Sequence, residues 1–98
     1  MNMQAMLKQA QKMQKDMMDT KSEIDNTEFV GESSLVKITV MGDKKVSKVE
    51  IDKSNALEKA DLEMLEDMIM VAFNDACKKI DLETEKKMSK YGNIPGFF

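Results

Sequence analysis

The sequence has no histidine, no arginine and no tryptophan, and only one cysteine and one proline. Without histidine, the usual neutral-pH proton shuttle and the commonest metal ligand are missing. Without arginine there is no planar fork for bidentate capture of guanine or of a phosphoryl group in transfer. A lone Cys77 cannot form an internal disulfide, which fits a reducing compartment. No apolar run approaches the roughly 20 residues needed to span a bilayer. The first residues also lack the continuous apolar segment of a signal peptide. The expectation is a soluble cytoplasmic protein with no membrane partner.

The 98 residues make one domain, 1–98, whose modest core would gain from association. All 15 basic residues are lysine, and 18 acidic residues give a net charge of −3, mildly against a polyanionic partner. The distribution softens that argument. Residues 1–15 carry Lys8, Lys12 and Lys15 and no acid, while Glu58, Asp61, Glu63, Glu66 and Asp67 gather negative charge elsewhere.

A long helix is predicted over 61–89. Leu62, Leu65, Ile69, Ala72, Phe73, Ala76 and Ile80 recur at the three-and-four spacing of one helical face. Asp61 can cap the first turn. Glu63, Glu66 and Asp67 suit the positive end of the helix dipole, and Lys78, Lys79, Lys86, Lys87 and Lys90 its negative end. The run from Met68 to Phe73 is apolar on every side, so one stripe cannot account for it. Met64, Met68 and Val71 form a second patch, read as a subunit interface, because a single small sheet covers one face only.

A first helix is predicted over 2–25. Its seam of Met3, Met6, Ala10, Met13, Met17, Thr20 and Ile24 steps by threes and fours like a short coiled coil. Methionine there reads as an adaptable packing face. Lys8, Lys12 and Lys15 share one side of this helix, which by itself is also what a solvated face looks like. Three strands follow, over 29–33, 35–41 and 45–51, the first weakened by Gly31. Gly42-Asp43 reads as a Gly-first hairpin turn. Residues 52–60 form a polar connector, with a helical turn capped by Ser54. The stretch 91–98 cannot continue the helix, and its two phenylalanines either dock on the body or hang free. Together these elements predict an α+β fold in two layers: helix, three-stranded antiparallel sheet and long helix, as a homodimer.

No phosphate-cradling glycine loop and no metal-spaced Cys/His cluster is present. Cys77 has no histidine to activate it and reads as packing. Glu50 and Asp52 share a strand face, but exposed strand carboxylates are usually just solvated. Asn74 and Asp75 are poor interior helix residues, which either bond across a helix–helix interface or face water. No catalytic residue, metal site, cofactor or small-molecule substrate is expected. One reading of the methionine-rich first helix is a protein-binding scaffold or small chaperone-like dimer.

The blocks Leu7-Lys8-Gln9-Ala10-Gln11-Lys12-Met13-Gln14, Gly31-Glu32-Ser33, Leu35-Val36-Lys37-Ile38-Thr39-Val40, Val49-Glu50-Ile51-Asp52, Met64-Leu65-Glu66-Asp67 and Ala72-Phe73-Asn74-Asp75-Ala76 occur in a telling order. With Pro95-Gly96-Phe97, they resemble the YbaB/EbfC nucleoid-associated proteins over nearly the whole chain. The resemblance implies a homodimer that binds double-stranded DNA, alters its conformation and associates with the bacterial nucleoid. Protruding helical ends are thought to grip the duplex, which makes Lys8, Lys12, Lys15, Lys86, Lys87 and Lys90 the candidate DNA contacts. The chain departs from the family in a short first hairpin loop, a longer 52–61 connector, and Lys78 and Lys79 where many members carry arginine. That last departure favours phosphate contacts over base-specific readout.

Overall fold

The computed structural model describes residues 2–54, 58–59 and 61–92. Helix α1 spans Met3–Asp25, strands β1, β2 and β3 span Glu28–Ser33, Val36–Met41 and Val46–Ile51, and helix α2 spans Asp61–Met88. A single 3-10 turn, Ser89–Tyr91, ends the described chain. The helix, three-strand meander and long helix expected from the sequence are all present, with sheet order β1-β2-β3 and both pairings antiparallel.

Helix α1 starts on Asn2, whose side-chain oxygen accepts the Gln4 amide at 3.1 Å. It stops where the side chains of Asn26 and Thr27 donate to the Ser22 and Glu23 carbonyls, satisfying orphan acceptors of the last turn. Asp61, expected to cap α2 forwards, instead accepts the amide of Glu58 at 2.8 Å and ties the helix back to its connector. The Ser54 amide donates to Asp52 at 2.9 Å, and residues 55–57 lie outside the described residues, as do 93–98.

Strand β2 supplies the core, with Val36, Ile38 and Val40 all buried against Ala72, Ala76 and Ile80 of α2. Two glycines decide how closely the helices approach. Gly31, read from sequence as a weak point of β1, is where α2 crosses the strand. A Cβ there would overlap the Ala72 carbonyl oxygen and crowd Ala76. Gly42 and Asp43 form the expected turn between β2 and β3, closed by the Lys44 amide on the Met41 carbonyl at 2.7 Å, and Gly42 has a second role beside it. A Cβ on it would overlap the Ile24 carbonyl, and its amide donates to the Thr27 carbonyl at 3.0 Å. The positive φ of the β2–β3 loop falls on Lys44 (71°), and that of the β1–β2 loop on Ser34 (50°).

The expected sheet-facing stripe of α2 is corrected at two positions. Leu62 and Ile69 are exposed, whereas Leu65, Met68 and Phe73 pack in part against the core. The reason lies in the sheet. Helix α2 lies over β1 and β2. On β3, Val46 opposes Val40 and Val49 opposes Ile38, so both point to the core-facing side. Yet Val46 and Val49 remain 48% and 51% exposed, because among the described residues α2 packs on β1 and β2 and leaves that third strand open. Ser47 is the extra residue of a β-bulge that keeps Val46 on this side.

Candidate nucleic-acid interface

The molecule is elongated, 71 × 18 × 16 Å, because the first half of α1 projects beyond the body. Every described residue from Asn2 to Asp16 is exposed. Among the described residues only the second half of the helix is anchored. Met17 and Ile24 bury against Met88 in a small satellite core that Phe29 and Tyr91 complete. The Thr20 hydroxyl and the Tyr91 hydroxyl lie 3.4 Å apart.

On the projecting half, Lys8, Lys12 and Lys15 stand together. At about 100° per residue their directions cluster on the side of α1 opposite the Met6–Met13–Met17 seam. None of the three makes an ion pair among the described residues, and no acid precedes Asp16 in the sequence. Further along the same face come Asp16, Asp19 and Glu23. The arm is therefore positive towards its tip and negative at its root.

The lysines at the end of α2 do not behave alike. Lys86 and Lys90 are exposed and without ion pairs among the described residues, and the Lys90 ammonium sits 5.1 Å from the Tyr91 ring centroid. Lys87 is turned inwards, between Glu23 of α1 at 3.5 Å and Glu83 at 3.7 Å. Its charge is already spent within the joint, so the six candidate contacts comprise five open ammonium groups and one occupied group. Lys53, Lys59 and Lys78 are likewise exposed and unpaired among the described residues. Elsewhere lysines are consumed internally, as in Lys37–Glu32, Lys44–Asp81 and Lys48–Glu50.

Of the polar pair Asn74-Asp75, Asn74 faces water, one of the two roles open to it, whereas Asp75 turns to the sheet. The Asp75 carboxylate accepts the Glu32 amide at 3.1 Å, while Lys79 donates to the Val30 carbonyl at 2.7 Å and lies 3.3 Å from Asp75. These two side chains of α2 thus occupy outward-pointing main-chain groups on the free edge of β1. The Glu32 N–H and then Lys79 hold the Asp75 carboxyl below its ordinary pKa. Nothing in the spacing of the sequence signals this, because it depends on where α2 crosses the strand.

Met64 and Val71 are exposed on one flank of α2, and Met68 beside them is half-buried against the core. Leu62 and Ile69 of α2 are exposed too, as are Val46 and Val49 of β3. Among the described residues no group of three or more acidic, Cys or His side chains could hold a metal, and no helix is long and apolar enough to cross a membrane. Cys77 is half-buried. Glu50 is paired with Lys48, and Asp52 accepts from Ser54, which lowers its pKa.

The sequence profile of the YbaB/EbfC DNA-binding family matches residues 1–93. Curated relatives extend over nearly the whole chain. A nucleoid-associated protein of Ligilactobacillus salivarius is 42% identical, covering 98% of this chain and 94% of its own. One from Enterococcus faecalis is 41% identical with the same coverage. One from Lactococcus lactis is 44% identical over 93% of each chain.

Proposed function

Because this chain belongs to the YbaB/EbfC DNA-binding family, we propose that it is a bacterial nucleoid-associated protein, not an enzyme, that binds duplex DNA as a homodimer and alters its conformation. The projecting arm of α1 supplies the main contact through Lys8, Lys12 and Lys15, with Lys86 and Lys90 near its root. The single observation that carries this reading is that these five ammonium groups are open while those in the body are largely consumed by carboxylates. Lysine is a hydrated point charge that fits phosphate and reads no sequence. Binding is then largely non-specific, which suits a protein located at the nucleoid in the cytoplasm.

The dimer rests on uncovered apolar surface. Val46 and Val49 of β3 and Leu62 and Ile69 of α2 are exposed apolar side chains, which we infer form one trough of the interface. The Met64–Met68–Val71 flank is the complementary ridge. Laid into the trough of a second copy, and reciprocally, it gives a two-fold interface of the kind most homodimers use. Pairing brings two arms together, so lysine clusters that a protomer offers singly act in concert.

A salt titration tests the reading. If the dimer neutralises about six phosphates, log affinity falls against log salt with a slope near −5. Duplex binding measured by anisotropy at several salt concentrations should follow that line. A flat response, or unaltered binding after Lys8, Lys12 and Lys15 are all changed to Gln, rules out the arm as the contact.

A further inference from the structure

The charges on α1 are ordered as well as segregated. Lys8 and Glu23, Lys12 and Asp19, and Lys15 and Asp16 each stand equally far from the peptide bond between residues 15 and 16, and each pair sets a lysine against an acid. At about 100° per residue, all six directions fall within an arc of about 100°. All six residues are exposed. The stripe is therefore its own complement when the helix is turned end for end.

We propose that this stripe binds the same stripe of a second copy, the two α1 helices running antiparallel about a two-fold axis between residues 15 and 16. Lys8 then meets the second copy's Glu23, Lys12 its Asp19 and Lys15 its Asp16. Symmetry repeats the three pairs in reverse, so the contacts run along about 22 Å of helix. The pairing uses neither the Val46 and Val49 trough nor the Met64–Met68–Val71 ridge, so it joins dimers and does not make them.

Within one helix the same charges do little for one another. The partners one turn apart, Lys12–Asp16 and Lys15–Asp19, have lysine ahead of the acid, the less favourable order. Neither ion pair forms among the described residues. Of the three acids only Glu23 has a partner there, Lys87 at 3.5 Å, and its side chain stays 68% exposed. Duplex DNA fits the lysine half alone, because phosphates laid along the rest would face three carboxylates. A second copy satisfies both halves. A single exposed ion pair contributes little, so the contact is weak, needs its pairs in register and fades with salt. Self-pairing and duplex exclude each other, because both take Lys8, Lys12 and Lys15. That consequence rests on the DNA-binding reading, whereas the pairing does not.

Sedimentation of the full chain without DNA tests it. The parent should gain mass with concentration at about 50 mM salt and lose that gain at about 0.5 M, where the screening length falls below about 5 Å. Asp19→Lys and Lys12→Asp each set like charges opposite one another at both symmetry-related places, so each variant alone should show no such gain. Mixed in equal amounts, each supplies the charge that the other has lost, and the gain should return. A parent whose mass ignores salt, a single variant that still assembles, or a mixture that does not, overturns the proposal. With no DNA present, none of these outcomes bears on the duplex reading.

Discussion

The main-chain carbonyl of Ala72 stands where a side chain on Gly31 would begin. The obstacle is backbone on a 28-residue helix, so it cannot swing aside as a flexible side chain would. Gly31→Ala should lower stability by about 1–3 kcal/mol or more, the range for overpacking a well-filled core. Chemical denaturation of the variant measures this, and an unchanged midpoint would mean that α2 does not sit on β1 at this point.

Open and occupied lysines should separate in the salt dependence. Lys12→Gln removes an unpaired charge from each arm, so in a dimer the slope should become shallower by about 2. Lys87→Gln removes a charge already held between Glu23 and Glu83, so its slope should stay close to that of the parent. Equal effects at the two positions would show that Lys87 leaves its carboxylates to meet phosphate.

Val49→Asp and Val71→Asp place a charge on the proposed trough and ridge. Both side chains are exposed in the protomer, so secondary structure by circular dichroism should persist. Sedimentation should show each variant shifted towards monomer, since an unpaired carboxylate inside an apolar interface is strongly unfavourable. A variant that remains dimeric at micromolar concentration would exclude its position from the interface.

Acid should release the clasp on β1. The Asp75 pKa is lowered in the folded chain, first by the Glu32 amide and then by Lys79. A depressed folded pKa means that this contribution is fully present above the ordinary carboxylate range near pH 4 and is lost as pH falls through the folded value. Asp75→Asn should flatten the stability profile below pH 4, and the Glu32 amide, read by hydrogen exchange, should lose protection there in the parent. An identical acid profile in the two proteins would count against the contact.

Much of the architecture was legible in the residues. The alternation of Val36, Ile38 and Val40 and the three-and-four spacing in both helices each report a local period, and local periods survive folding. The lysine triplet of α1 was legible for the same reason. What the residues did not reveal were contacts between distant parts of the chain. Gly42 does open the expected turn, but the positive φ falls on Lys44, and the sequence did not show that Gly42 also gives way to the end of α1. Lys87 looked equivalent to Lys86 and Lys90, because sequence distance does not reveal that Glu23 lies across the joint.

The order of helix, meander and helix, the family, and the acid-free run of lysines at the start of the chain follow from the sequence alone, since each depends on neighbours within a turn or a hairpin. The tertiary structure decided which surfaces remained uncovered. Where α2 lands on the sheet is governed by the absence of a side chain at Gly31 and the smallness of Ala72 and Ala76. By landing on β1 and β2 the helix leaves Val46 and Val49 bare, clasps the edge of β1 with Asp75 and Lys79, and lets the first half of α1 project beyond the body. Those consequences arise between residues more than 20 positions apart, where chain spacing carries no distance information.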